Sequence, residues 1–447
     1  MAPSDFLFQG YHFDSAQSLL RLDYAFRDGP SFTETLQFPN ARTEFEPHER
    51  QALDAAFRVI LLMAGVSYYK AYAPARMLCP AFALDAETAS WVTQVYRMGL
   101  GEFAYRNKLD MSQRAQCEAQ TQNAPPPTRL HLPRRDCVAV GGGKDSIVTI
   151  EAARQAGQTP FLFAMGGVGG PARPIAQTIQ VAGFPALHAV RRIDPALIEL
   201  NKTGVLNGHV PVTAILSAIL AAGAILYGYD AILLSNERSA SVANLSLNGT
   251  EVNHQYSKSL EFERGFAQTL ARLVSPDIAY FSLLRPLSEV AIARRFARHR
   301  AYHDIFTSCN KAFRQDESRR GRGWCGDCPK CRFVFLALAP FMAKDRLIDI
   351  FGRNLLDDSA QVSGFAELAG LENFKPFECV GEVEESAILL AKLAQDDSWK
   401  HDAVPSALAA RLPQDSQDID ARYQAFFTPD MAHRVPNSYL GWLHEDP

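Results

Sequence analysis

The segment Cys137-Val-Ala-Val-Gly141-Gly142-Gly143-Lys144-Asp145-Ser146 constrains this chain most. A short apolar run entering three glycines, with a helical pattern from Ile147 to about Gly157, reads as a buried strand, a tight loop and a helix. Glycine accepts positive φ and lets the backbone approach a ligand. The first free N–H groups of the helix, with the Ser146 hydroxyl, then face an anion. The segment predicts a phosphate cradle and, through it, a nucleotide. It matches neither G-x-x-x-x-G-K-[ST] nor G-x-G-x-x-G.

Strand and helix signals alternate after this loop. Strands are expected at Cys137–Val140, Phe161–Ala164, Ala186–Val190, Ala231–Ser235 and near Ala279–Leu284. Helices are expected at Ile147–Ala156, Arg173–Ala182 and Val212–Tyr227, with another begun by Pro286. This succession predicts an α/β fold with a doubly wound, mostly parallel sheet and ligands at the carboxyl ends of its strands. Gly141, Gly166 and Ser235 all fall there and would line one crevice. Residues 1–117 read as an N-terminal α+β domain and 118–135 (EAQTQNAPPPTRLHLPRR) as a proline-rich linker. Residues 136–300 form the nucleotide-binding domain, and 301–447 a cysteine-cluster and helical C-terminal region, with helices at Arg332–Lys344 and Val383–Gln395. Within the first unit, alternating runs such as Leu19–Phe26 and Phe32–Phe38 predict strands, and Glu49–Ala64 and Ala86–Tyr105 helices.

Composition narrows the function. The chain has 447 residues, 47% hydrophobic and 21% charged, with a formal net charge of −4, which argues against a broad nucleic-acid surface. The start Met-Ala-Pro-Ser-Asp-Phe lacks a secretory pattern, so a cytoplasmic location is expected. Val210–Gly228 carries no charge, yet its alanines, Thr213, Ser217 and the absence of flanking basic clusters favour a helix buried against a sheet over a membrane span.

Cys309, Cys325, Cys328 and Cys331 stand together, the last three at two-residue gaps, and in a cytoplasmic protein this spacing suggests a structural Zn²⁺ site. Cys79, Cys117, Cys137 and Cys379 are isolated, and none reads as a nucleophile. After the fourth strand of the alternating region, the polar stretch Ser235–Glu261 is long enough to suggest a functional loop. Its Glu237, Arg238, His254 and Lys258 offer groups that bind carboxylates and move protons.

Gly141-Gly-Gly-Lys-Asp-Ser146 resembles the PP-loop S-G-G-x-D-S of ATP pyrophosphatases, with glycine in place of the first serine. That resemblance implies an adenine nucleotide alpha hydrolase-like fold and cleavage of ATP to AMP and diphosphate, adenylating an oxygen of the substrate. The cysteine cluster is similar to that of 7-cyano-7-deazaguanine synthases, with a longer gap after the first cysteine. Taken together, CVAVGGGKDS, SNERSAS with VNHQYSKS, and FTSCNKAF followed by WCGDCPKCRFVFLALAPF resemble the MurL-type ATP-dependent epimerases of peptidoglycan precursor synthesis. The resemblance implies inversion of the terminal L-glutamate of UDP-MurNAc-L-Ala-L-Glu. It implies ATP phosphates on Gly141, Gly142, Gly143, Lys144 and Ser146, and Mg²⁺ or its water shell near Asp145. Proton transfer falls to Glu237, His254 or Lys258, with Arg238 clamping a carboxylate. A nucleobase- or tRNA-modifying PP-loop enzyme and a nucleotide-binding protein without catalysis are the other readings.

Overall fold

A computed structural model describes residues 3–247, 250–313, 321, 323–372 and 375–443. Asn248 and Gly249 of the long polar segment lie outside this set.

The strands are β1 (Asp5–Asp14), β2 (Leu19–Phe26), β3 (Ser31–Gln37), β4 (Arg76–Leu78), β5 (Gln116–Cys117), β6 (Asp136–Ala139), β7 (Phe161–Gly166), β8 (Ala186–Arg192), β9 (Ala231–Leu234), β10 (Leu245–Leu247), β11 (Thr250–Val252) and β12 (Ala279–Ser282). All but β10 and β11 join one ten-stranded sheet in the order β12-β9-β6-β7-β8-β3-β2-β1-β4-β5. Neighbours from β12 to β8 are parallel, while β3 meets both β8 and β2 antiparallel and β2 meets β1 antiparallel. The α/β class and mostly parallel sheet expected from the alternating pattern are present. Strands from residues 1–117 continue the sheet beyond β8.

Side-chain alternation explains why the central strands read as uninterrupted apolar runs. Cys137, Phe163 and Ile232 enter one core; their chain neighbours Val138, Leu162 and Leu233 enter another. A parallel strand buried on both faces needs apolar residues at every position. Helices Pro47–Ala64, Ala86–Gly99, Val212–Tyr227 and Leu260–Leu273 supply the first core. Helices Lys144–Gln155, Arg173–Ala182, Glu289–Ala297, Pro329–Leu338 and Val383–Leu393 supply the second. Val212–Tyr227, the uncharged helix, is buried nearly all round and ends at Gly228, whose φ of 76° suits a glycine cap. The helical run Pro47–Tyr69 is long and apolar enough to cross a membrane, but 83% of its apolar window is buried inside the protein.

Local chemistry moves several helix boundaries from their expected places. The helix beginning at Ala86 breaks at Leu100, and a second runs Gly101–Asn107; a Cβ at Gly99 would lie 2.8 Å from Pro211. The helix expected from Pro286 starts at Glu289, because Ser288 caps it by accepting from the Ala291 N–H. Pro329 occupies the first turn of the helix expected at Arg332, which ends at Leu338 ahead of Pro340.

At the joint between β3 and β8, Arg191 donates to both Glu34 oxygens at 2.7 and 3.0 Å and to Ser67 Oγ at 2.9 Å. Glu34 is fully buried. A bidentate pair of this kind is specific in geometry, and removing one partner strands the other charge in the core. Glu34→Ala is therefore expected to lower the free energy of unfolding by about 3–5 kcal/mol. Urea titration followed by tryptophan fluorescence measures it, and a loss near zero would show that the pair does not hold the joint.

Candidate active site

Strand order reverses at β6: the chain moves from β6 to β7 and β8 on one side, then returns to β9 and β12 on the other. In doubly wound sheets the crevice for ligands opens at this switch point, beyond the carboxyl ends of the strands. The glycine loop follows β6 and Ser235 follows β9, so the two segments singled out from the sequence meet there.

The loop is shaped by contacts only glycine permits. Gly142 has φ +76°, and a Cβ on it would lie 3.0 Å from the Ile175 nitrogen. Its carbonyl accepts from the Thr307 N–H at 3.0 Å. Gly141 is open, with nothing within 4 Å of a built Cβ. Gly143 is the N-cap of helix Lys144–Gln155 and brings no side-chain cap, so the first-turn amides keep their capacity to bind an anion. Ser146 Oγ turns back to the Gly143 carbonyl at 3.2 Å.

Lys144 is not extended into the crevice. It is 4% exposed and its ammonium contacts the carboxylates of Asp145 and Glu289. Burial opposes its charge, but the two carboxylates outweigh burial and hold it protonated. Glu237 and Glu385 bring further carboxylates toward Glu289. Burial pushes the Glu385 carboxyl up to about 7, with the Glu382 carboxylate adding to the rise, although the Glu382 and Val290 N–H groups donate to it. Lys375 faces the same acids. It is 6% exposed, its Nζ has no hydrogen-bond partner among the described residues, and burial lowers its pKa.

The Ser235–Glu261 segment is tied down at several points. Ser235 Oγ donates to Thr149 Oγ1 at 2.8 Å, and Asn236 Nδ2 to Ser282 Oγ at 2.9 Å. Arg285, 1% exposed, donates to the carbonyls of Glu237 at 2.6 Å and Lys258 at 2.5 Å. Its Nη2 also meets Glu263 Oε2 at 3.0 Å, a carboxylate that is itself 1% exposed. One guanidinium thus fixes the backbone at two of the expected catalytic positions.

The four expected proton-transfer and clamping residues divide. Glu237 is buried and accepts from Ser239 Oγ at 3.3 Å. Arg238 pairs with Glu382 at 3.0 Å and lines a pocket with Glu251, Tyr256 and Arg264. His254 and Lys258 converge elsewhere, on Cys379. Lys258 Nζ lies 3.3 Å from its sulfur, and His254 is near enough to act on the same sulfur electrostatically. His254 Nδ1 contacts Glu102 Oε2, and the His209 ring packs 4.2 Å from the His254 ring. Burial would lower the His254 pKa, but Cys379 and Glu102 raise it to about 9; burial and the charge on His254 take His209 down to about 4. Glu102, His209 and His254 bring a carboxylate and two imidazoles close together.

Sequence reading missed Glu102, His209, Arg285, Glu289, Lys375, Cys379 and Glu385. No local pattern marks them, because they reach the crevice from several separate parts of the chain.

The cysteine cluster closes as its spacing suggests. Cys328 Sγ lies 3.4 Å from Cys331 and 4.0 Å from Cys309, and Cys325 lies 3.7 Å from Cys331. Four thiolates bound at about 2.3 Å around a tetrahedral ion have sulfur edges of about 3.8 Å, so the set fits a metal and is too wide for disulfides. Cys309 follows Thr307 and Ser308, which brace Gly142 and Gly143, so the cluster also anchors the glycine loop.

Replacing Arg285 by Ala leaves the Glu263 carboxylate buried without its cation and takes the guanidinium from the carbonyls of Glu237 and Lys258. Unfolding stability is expected to fall by about 3–5 kcal/mol, and Arg285→Lys to recover only part of it, since an ammonium lacks the planar fork. Full recovery by lysine in a urea titration would reduce Arg285 to a point charge.

Two family models match the chain: the MurL N-terminal domain over residues 1–283 and the MurL C-terminal domain over residues 305–423. It is 43% identical over 433 residues to a UDP-N-acetyl-alpha-D-muramoyl-L-alanyl-L-glutamate epimerase of Xanthomonas oryzae pv. oryzae, covering 97% of this chain and 95% of that one. It is 45% identical over 451 residues to a protein of the same name from Salinispora tropica, covering 98% and 96%. A Micromonospora protein, also of that name, is 44% identical over 439 residues, covering 97% and 96%. With both domain models matched and this identity sustained over nearly the whole chain, the protein belongs to the MurL epimerase family.

Proposed function

We propose that this enzyme inverts the terminal L-glutamate of UDP-MurNAc-L-Ala-L-Glu in peptidoglycan precursor synthesis, by adenylating its α-carboxylate with ATP and exchanging the Cα proton. The observation that carries this reading is the approach of the Ser235–Glu261 segment to the glycine loop: Ser235 follows β9 beside β6, and Lys258 is within electrostatic reach of Asp145. The strand order β12-β9-β6-β7-β8 and the open Gly141 favour a PP-loop, adenine nucleotide alpha hydrolase-like fold in this half of the sheet. The names of the relatives, each a UDP-N-acetyl-alpha-D-muramoyl-L-alanyl-L-glutamate epimerase, support this substrate. A nucleotide-linked precursor of this kind places the work in the cytoplasm.

The chemistry requires activation. Removing a proton beside a free carboxylate would gather two negative charges on adjacent atoms. The mixed anhydride with AMP removes the first charge and spreads the second into an enolate oxygen. Gly141, Gly142 and Gly143, with the amides that follow, would hold the ATP phosphates and then the departing diphosphate. Asp145, half-buried at the loop, would carry Mg²⁺ or its water shell. Lys144 would act from beneath, as the counter-charge that keeps Asp145 in place. Lys375, whose Nζ has no hydrogen-bond partner among the described residues, is suited to an anionic group of the bound reactants. Hydrolysis of the anhydride then releases AMP and makes the cycle directional. Activating the γ-carboxyl instead would leave the Cα proton little changed.

We read the four-cysteine cluster as a structural Zn²⁺ site. Metal analysis of the purified protein is expected to find about one zinc per chain. Cys325→Ser is expected to lose the zinc and melt at lower temperature; retention of full zinc by this variant would sink the assignment.

The activation step is tested with substrate carrying ¹⁸O in the α-carboxylate. One labelled oxygen is expected to pass into AMP. Label arriving from the γ-carboxylate alone would refute the mechanism.

A further inference from the structure

Cys379, isolated in the sequence, is surrounded by charge in the fold. Its neighbours come from separate parts of the chain. Glu102 lies on helix Gly101–Asn107, His254 and Lys258 follow β11, and Cys379 itself precedes helix Val383–Leu393. They form a run of carboxylate, imidazole and thiol: Glu102 meets His254 Nδ1, and the imidazole acts electrostatically on the sulfur. Lys258 Nζ adds a cation 3.3 Å from that sulfur. In such runs the third group orients the imidazole and the imidazole sets the protonation of the sulfur. Cys79, Cys117 and Cys137 are buried, whereas Cys379 is partly exposed. Lys258 in turn lies within the electrostatic reach of Glu237 and Asp145, so the cluster borders the glycine loop.

We infer that the Cys379 sulfur is the base that removes the Cα proton from the activated glutamyl residue, with His254, Glu102 and Lys258 as its positioning residues. This rests on the adenylation reading above. Burial alone would raise the thiol, but the Lys258 and Lys330 ammoniums and the nearby His254 bring it down to about 6. The same contacts keep His254 and Lys258 protonated at neutral pH, so neither accepts a proton. In the step, the Cα–H bond breaks, its electron pair moves into the enolate oxygen of the mixed anhydride, and an S–H bond forms. A proton derived from water then reaches the opposite face of Cα, and the sulfur returns its proton to solvent. Lys258 lies against the sulfur and His254 acts on it from nearby, so both stand on its side of the substrate. Groups on opposite faces, each about 3–3.5 Å from Cα, would be about twice that distance apart.

Several charges face this sulfur or its partners: Lys258, His254 and Lys330 directly, Glu102 and His209 behind His254, Glu237 and Asp145 behind Lys258, and Glu378 beside Lys330. With the thiol near 6 and His254 near 9, kcat/KM is expected to rise through about pH 6 and fall through about pH 9.

The test compares the full-length enzyme with Cys379→Ser, using ATP, Mg²⁺ and UDP-MurNAc-L-Ala-L-Glu in D₂O. Substrate-dependent exchange of labelled diphosphate into ATP reports activation and a folded site; deuterium at Cα reports proton removal. The serine variant is expected to keep diphosphate exchange within a few-fold and to lose deuterium uptake by on the order of 10²–10⁴-fold. Deuterium uptake at the wild-type rate, or loss of both signals together, overturns the assignment. A wild-type enzyme without substrate-dependent diphosphate exchange removes the adenylation reading, and this one with it. Independently, alkylation of Cys379 by iodoacetamide is expected to titrate near pH 6, and His254→Asn to move that midpoint upward. A midpoint above 8 in the wild type would also overturn it.

Discussion

The arrangement of the crevice depends on one buried guanidinium. Arg285 sits just past β12, sealed from water, and its charge is matched by the equally buried Glu263. A pair like this gives little net stability over an apolar replacement, because both charges lose their hydration. Its value is geometric. A planar fork can reach several acceptors at fixed angles, and here it holds the carbonyls of Glu237 and Lys258. Glu237 enters and Lys258 leaves a long polar segment, so two points of attachment position everything between them. His254 falls in that interval and is directed by its own partner, Glu102.

Around this frame the protein gathers more ionisable groups than an interior normally accepts. Asp145, Glu237, Glu289 and Glu385 crowd near Lys144 and Lys375. Lys144 is saturated by two carboxylates, while Lys375 Nζ has no hydrogen-bond partner among the described residues. An unpaired buried ammonium is costly unless something anionic arrives, which agrees with a site built for phosphates and carboxylates. The cysteine cluster contributes at a distance. Its first cysteine ends the stretch that braces the glycine loop, and the helix capped by Cys328 carries Lys330 to within 3.7 Å of Glu378, next to Cys379.

Local chemistry made much of this legible. The strand, loop and helix at Cys137–Ser146 lie where the pattern of apolar residues and glycines placed them, with the helix beginning slightly earlier, at Lys144. The uncharged stretch around Val212–Tyr227 is a core helix. The four clustered cysteines converge. Lys144 shows where such reading stops. A lysine in a glycine loop suggests a phosphate ligand, but its ammonium is taken by Glu289, a residue 145 positions away. Arg238 differs similarly, since its guanidinium is engaged by Glu382. Cys379 stood without neighbours in the chain and gained three of them on folding.

The sequence by itself determined the class of sheet, the place of the glycine loop and the membership of the thiol cluster, because each depends on residues close together in the chain. Hydrophobic periodicity, glycine φ freedom and two-residue cysteine gaps act over a few residues. Only the tertiary structure decided which ionisable groups face one another. Glu102, His254, Lys258 and Cys379 span more than half of the chain, and their protonation is set by Coulomb interactions and burial across packed elements. Those forces fall off with distance in space, and the spacing of residues along the chain does not report it.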